Sequence, residues 1–337
     1  MKKILILLSL GAAAGGVIWL SGCSKSQTPT TPSGTNAAAA SPAEAASPAQ
    51  AADSPANLKI KWTPGKTVGM RMEFSQETDT KVPNQPDQGT MDVKLAQDFN
   101  LSAIKKLDNG GWELGLEFEN QTMDVSQGGR SLVTFDSAQS SALESNNPVA
   151  PMLRAMIGAR LQYFTDAAGK VEKMDGLDEL MKRISAVAKP QQVGMFQQMF
   201  SEDTLKRYGS ISESLPNRMV NVGESWTTQN DINSSIGTLG MDMNYTFKDW
   251  EQHGDRRCAH VEETGKISTK TTSAATVGAV VNVESGKING DYWFDPETGM
   301  IVDVHDNQDM TLKITTRTQT LTQQLGQKVR LWLVDAQ

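Results

Sequence analysis

Residues 290–305 read GDYWFDPETGMIVDVH. Tyr292, Trp293 and Phe294 favour an extended chain. Asp295-Pro296-Glu297-Thr298-Gly299 then turns it. Pro296 presets φ at the first corner, and Gly299 takes the positive φ that closes such a loop. Met300, Val302 and Val304 share one face of the return strand. Asp303 and His305 share the other, with Ile301 among them. This predicts an antiparallel hairpin.

A second hairpin of the same kind stands about 130 residues earlier. Leu161-Gln162-Tyr163-Phe164-Thr165-Asp166-Ala167-Ala168-Gly169-Lys170-Val171 aligns with Asp291 to Ile301, Gly169 falling on Gly299. Pro64-Gly65-Lys66-Thr67 likewise resembles Val222-Gly223-Glu224-Ser225-Trp226, and each opens a long run of strands. Two related β halves are therefore expected, with insertions between the copies.

The alternation extends outward from these points. Met70, Met72 and Phe74 alternate with Arg71, Glu73 and Ser75. Met91, Val93, Leu95, Phe99 and Leu101 keep one parity, as do Trp112, Leu114, Leu116 and Phe118. Leu239, Met241, Met243, Tyr245 and Phe247 repeat the pattern in the second half. Period-2 patterns with one wet and one dry face mean long antiparallel strands, and strands of that length should curl. His253-Gly254-Asp255 reads as a turn, and the Gln-rich stretch Thr320–Gln327 as a bend. Between the halves, Leu177, Leu180, Met181, Ile184 and Val187 are spaced as an amphipathic helix ending before Pro190. Pro151–Ile157 reads as a short helix, Val193 to Phe200 as another, and Leu205, Tyr208 and Ile211 as a third piece. The fold class expected is mainly β with a few helices (α+β): two related antiparallel curled sheets or half-barrels with central helices.

The N-terminus reads differently. Met1-Lys2-Lys3 is positive, Ile4 to Leu20 is apolar, and Leu20-Ser21-Gly22-Cys23 follows. This resembles a bacterial lipoprotein signal. The resemblance implies cleavage before Cys23 and acyl chains on that residue, which anchor stably because two or three chains together bury enough CH₂ groups. Ser24 is not the Asp that such signals use for inner-membrane retention, which implies an outer-membrane anchor facing the periplasm. Ser24 to Asn57 is almost wholly Ala, Ser, Pro and Thr and cannot offset its own ordering entropy. The expected organisation is a signal peptide at 1–22, lipidated Cys23 with a disordered linker at 23–57, a first β half at 58–175, a helical connection at 176–215 and a second β half at 216–337.

Asp and Glu number 39 against 32 Lys and Arg, for a net charge of −7. Loss of Lys2 and Lys3 with the leader deepens it to −9. With no basic cluster, nucleic acid is not an expected partner. Two cysteines, Cys23 and Cys258, make no disulfide framework. No nucleophile elbow, phosphate loop, zinc-protease or dinucleotide fingerprint is present, so no catalytic residue and no cofactor is expected. Cys258, His260 and Glu262 lie two apart on one strand, but neighbours along a strand face diverge, so no metal ligands are expected. His253 and His305 read as surface residues. The Asp295–Gly299 loop lacks the dense ligands of a calcium loop.

Taken together, the tether, Gly65-Lys66, Val222-Gly223-Glu224-Ser225-Trp226 and the two hairpins resemble an uncharacterised family of bacterial lipoproteins, over about residues 58–335. The architecture is similar, more loosely, to the curled-sheet lipoprotein carriers of the bacterial envelope. The expected role is non-catalytic: a structural or protein-interaction module, or alternatively a carrier for a lipid or other apolar ligand between sheet and helices. Sixteen methionines, many on apolar faces, fit either a repackable cavity or an irregular core, and the core is the expectation.

Overall fold

The computed structural model describes residues 54–83, 89–140, 147, 149–199, 202, 205–206, 212, 214–234, 237–272 and 279–336. The leader, Cys23 and most of the tether lie outside them, as do Tyr208 and Ile211 of the third helical piece.

The first run of strands is β2 (Thr67–Lys81), β3 (Met91–Lys106), β4 (Trp112–Gln127), β5 (Arg130–Asp136), β6 (Arg160–Thr165) and β7 (Val171–Asp175). The second is β9 (Ser225–Ser234), β10 (Gly237–His253), β11 (Arg256–Thr272), β12 (Ala279–Asp295), β13 (Met300–Thr316) and β14 (Thr320–Val334). Leu114 and Met243, markers of the alternating pattern, lie buried in β4 and β10. Helix α1 (Ala150–Met156) sits between β5 and β6. Helices α2 (Leu177–Val187) and α3 (Pro190–Met199) follow β7. The short strands β1 (Ala56–Asn57) and β8 (Met219–Val220) pair with each other. The class is mainly β with few helices, as the alternation implies.

The two runs do not stand apart. β14 pairs antiparallel with β2 from Val334↔Gly69 to Thr322↔Lys81. All twelve strands thus form one open sheet in the order β7-β6-β4-β3-β2-β14-β13-β12-β11-β10-β9, with β5 beside β4. Along the long strands one parity is inward: Met70, Met72 and Phe74 in β2, Tyr245 and Phe247 in β10, Val329 and Leu331 in β14. These side chains join a single apolar core with Phe118, Leu180 and Ile184. Each large buried side chain contributes roughly 1.5–3 kcal/mol, so the halves stabilise each other.

The echo between the halves is real at the turns. Thr63 to Lys66 and Asn221 to Glu224 both close with an N–H to C=O bond of 3.0 Å. Gly65 N–H then donates to Ala103 C=O, and Ala103 N–H to Lys66 C=O; Gly223 and Glu224 make the same pair of bonds with Phe247. Gly65 has φ 76° and Gly223 φ 82°. The hydroxyls of Thr67 and Ser102 meet at 2.7 Å, those of Ser225 and Thr246 at 2.9 Å. The hairpin alignment needs a correction of one residue. Leu161 and Tyr163 are buried in β6, as Tyr292 and Phe294 are in β12, so Tyr163 corresponds to Phe294 rather than to Trp293. The loops absorb the difference. Gly169 N–H bonds three residues back to Asp166 C=O, whereas Gly299 N–H bonds four back to Asp295 C=O.

Two further expectations change. The linker was expected to run to residue 57, but Ser54 to Asn57 are docked. Ser54 C=O accepts from the Trp250 indole at 2.7 Å, Ala56 is buried, and Lys61 N–H bonds Gly299 C=O. Thr320–Gln327 is no bend. It is the start of β14, and the turn is Thr316–Gln319. Gln323 and Gln327 occupy inward positions, where neighbouring strands accept their side-chain N–H groups. Gln327 Nε2 donates to Gln76 Oε1 at 2.7 Å and Gln323 Nε2 to Thr80 Oγ1 at 3.2 Å.

Candidate functional site

The chain has three histidines, and the fold brings all three to one tryptophan. The hairpin at His253-Gly254-Asp255 pairs His253 with Arg256, and counting back pairs Glu251 with Cys258 and Asp249 with His260. His260 pairs across to Trp293 of β12, and Trp293 to Asp303 of β13. One row on the outward face thus reads Asp249, His260, Trp293, Asp303. Beyond Asp249 the pairing slips at Phe247, a bulge that keeps both Phe247 and Trp250 inward, edge to face at 5.6 Å.

Trp293 stacks on His260 with ring centroids 5.3 Å apart and 9° between planes, and on His253 at 4.5 Å and 22°. His305 meets it edge-on at 5.2 Å. Its indole N–H donates to Glu251 Oε2 at 2.7 Å. His260 Nε2 lies 2.7 Å from Asp291 Oδ1, while Nδ1 lies 3.3 Å from Asp249 Oδ1 and 3.5 Å from Glu251 Oε1. The ligand atoms of Asp249, Glu251 and His260 all fall within 4.8 Å of one another. On the far side of Trp293, Asp303 is 3% exposed and holds Arg330 through 2.8 and 3.2 Å bonds, with His253 at 3.1 Å and His305 at 3.3 Å. That hydrogen bond raises the Arg330 guanidinium above its ordinary pKa. Arg330 in turn lies over Trp332, 4.5 Å from the ring centroid, with Arg71 on the same ring at 5.9 Å.

The same outward face carries two grooves. The larger, about 760 Å³, adjoins the histidine cluster through His305 and is lined by Arg71, Lys94, Asp124, Asn307, Lys328 and Arg330 among others. The other, about 510 Å³, is lined by Glu77, Asp79, Lys287, Asp309 and Gln324 among others. Both are open; the smaller is lined mainly by charged and polar side chains, whereas the larger mixes such side chains with apolar ones, Phe74, Leu95, Met123, Phe135 and Val329.

The inward face has its own polar centre. Glu263 of β11 and Asp306 of β13 both sit opposite Gly290 of β12. The Glu263 carboxyl reaches over that glycine: a Cβ there would lie 2.8 Å from Oε1. Burial and the facing Asp306 push the Glu263 carboxyl well above its ordinary pKa, and burial pushes Asp306 up to about 7. Gln308 donates to Asp306 Oδ2 at 2.7 Å. Asp306 Oδ1 and the Tyr292 hydroxyl find no partner among the described residues. Tyr245 and Tyr292 flank the pair, rings 6.2 Å apart.

Sequence spacing missed these groupings in part. Cys258, His260 and Glu262 do diverge as expected. Cys258 is fully buried, and burial pushes its thiol up to about 11. Glu262 pairs with Lys248 at 2.8 Å. The convergence comes from the neighbouring strand, through Asp249 and Glu251. The turn at Gly254 fixes that register, so the signal was present in the sequence. His253 and His305, expected as isolated surface residues, join the same cluster. Nothing in the sequence alone brings Glu263 to Asp306. The Asp295 loop is a turn. Burial opposes ionisation of Asp295, yet bonds from Thr298 Oγ1, Glu297 N–H and Arg256 hold its carboxyl below its ordinary pKa.

No curated protein matches the sequence. Among solved structures, one of lipovitellin, described by its lipid–protein interactions, superposes with a TM-score of 0.42 at 9% identity. It covers 82% of this chain, and this chain spans 26% of that one. A putative exported protein with a YmcC-like fold from Bacteroides fragilis gives a TM-score of 0.25 at 10% identity, covering 83% of this chain and 98% of that one. Both scores are too low to carry an argument about function. Residues 109–301 match the family of unknown function DUF6263. That span is more than half of the chain and holds Asp249, Glu251, His260, Asp291 and Trp293, so the chain belongs to that family.

Proposed function

We propose that the protein is an envelope lipoprotein that works as a non-catalytic interaction module. Acyl chains on Cys23 hold it to a membrane, facing the periplasm from the outer membrane where the cell has one. The Ala/Ser/Pro/Thr segment spaces the sheet from the bilayer. The partner is a polar, extended protein segment lying along the outward face, in the larger groove and against the Trp293 cluster.

One observation carries this reading: the inward apolar positions pack into a single core, whereas the grooves on the outward face are lined with charges of both signs. A lipid carrier would need an apolar cavity on the inward side. Surface grooves with basic side chains such as Lys94 and Lys328 suit an acidic or polar partner. In-cell crosslinking of the full-length protein should give a discrete adduct that weakens in the Lys94→Glu, Lys328→Glu double variant. An adduct indifferent to that charge reversal, or copurified lipid in native mass spectra of the intact protein, would contradict it. For the anchor, globomycin should accumulate an unprocessed precursor, and normal maturation of Cys23→Ala would contradict lipidation.

A further inference from the structure

We infer that Asp249, Glu251 and His260 form a binding site for one divalent transition-metal ion of the zinc type. The geometry fits. Ligands held about 2.0–2.1 Å from a tetrahedral ion stand about 3.3 Å from each other. His260 Nδ1 stands 3.3 Å from Asp249 Oδ1 and 3.5 Å from Glu251 Oε1. Three carboxylates, those of Asp249, Glu251 and Asp291, surround the one imidazole, and a bound cation would offset their charge. Lys248 bonds Glu262 at 2.8 Å and reaches Asp249 and Asp291 only through longer-range charge.

The outer partners point the same way. Asp291 accepts from His260 Nε2 at 2.7 Å, which fixes the tautomer and turns the Nδ1 lone pair toward the two carboxylates. The Trp293 indole holds Glu251 Oε2, which leaves Oε1 facing Nδ1. Trp293 also lies flat on the imidazole and fixes its plane. Each inner ligand except Asp249 is therefore oriented by a second group. Asp249 and Glu251 are partly exposed, with relative accessibilities of 57% and 43%, so an ion can enter from solvent and keep water in its remaining position. One imidazole with two carboxylates favours zinc or copper over calcium, which prefers six or more oxygens. The site stands independently of the proposed partner in the groove.

The test is titration of the untagged full-length protein, stripped with EDTA, with Zn²⁺, Cu²⁺ and Ca²⁺. Calorimetry reads stoichiometry, and tryptophan emission reads the site, because Trp293 stacks on a ligand. One equivalent of Zn²⁺ should bind at neutral pH, Cu²⁺ should quench emission saturably, and Ca²⁺ should do neither at the same concentration. Glu251→Gln keeps the bond to Trp293, and with His260→Gln it should weaken Zn²⁺ binding at least 10-fold. Asp291→Asn, a positioning change, should weaken it about 10-fold or more. Circular dichroism confirms that each variant folds. Absence of stoichiometric Zn²⁺ binding, or binding unchanged in the folded Glu251→Gln and His260→Gln variants, overturns the site.

Discussion

Trp293 lies flat on His260, rings 9° from parallel, and on its other neighbours it meets His253 and His305. This one indole orders four strands. Its N–H also fixes Glu251. Removing it should therefore act on several side chains at once. Trp293→Ala should lower stability by about 2 kcal/mol, since a half-buried aromatic contributes less than a fully buried one. Trp293→Phe should restore most of that, because stacking survives and only the bond to Glu251 is lost. Urea midpoints measure both, and equal losses would contradict the stacking role.

Stability should fall as pH rises through the range set by Glu263 and Asp306. Both carboxyls have raised pKa values in the folded state, Asp306 reaching about 7. Between their unfolded and folded values the native protein binds more protons than the unfolded chain. Stability is therefore full at acidic pH and is lost as pH climbs toward the folded value. Asp306→Asn removes that ionisation. Relative to the native sequence it should stabilise at pH 8 by on the order of 4 kcal/mol, at about 1.4 kcal/mol per pKa unit, and by much less at pH 5. Thermal melts across that range check it, and a difference independent of pH would contradict it.

Gly290 is the spacer that lets Glu263 reach toward Asp306. A Cβ there would stand 2.3 Å from His305 C=O and 2.8 Å from Glu263 Oε1. The first clash is with backbone and cannot be relieved by a rotamer change. Gly290→Ala should lower stability by roughly 1–3 kcal/mol, the scale of overpacking. A melting temperature unchanged from the native protein would contradict this packing.

The shared turns predict matched costs. Gly65 and Gly223 both adopt positive φ, and nothing lies within 4 Å of a Cβ built on either. Gly65→Ala and Gly223→Ala should each lower stability by about 1 kcal/mol through backbone strain alone. Unequal losses in denaturant melts would count against structural equivalence of the two halves.

How much was legible depended on range. Alternation at Met70, Leu114 and Met243 announced the strands, because side-chain period depends only on local sequence. The Gly65 and Gly223 echo announced the matched turns, because a positive φ demands glycine wherever the turn recurs. Thr320–Gln327 misled, because glutamines suggest exposure unless their cross-strand partners are known, and those partners, Gln76 and Thr80, lie about 250 residues away in sequence. The β14–β2 ladder that fuses the halves was hidden for the same reason. The site was half legible: His260 stood out, while its companions Asp249 and Glu251 required counting back through the Gly254 hairpin.

The most direct test of the outward face as the working surface is site-specific photocrosslinking in cells. A photoreactive residue in place of Asn307, inside the larger groove, should yield one discrete protein adduct that disappears with Trp293→Ala. The same residue in place of Lys106, exposed at the end of β3, should yield none. Equal adducts at both positions, or none from Asn307, would contradict a binding role for this face.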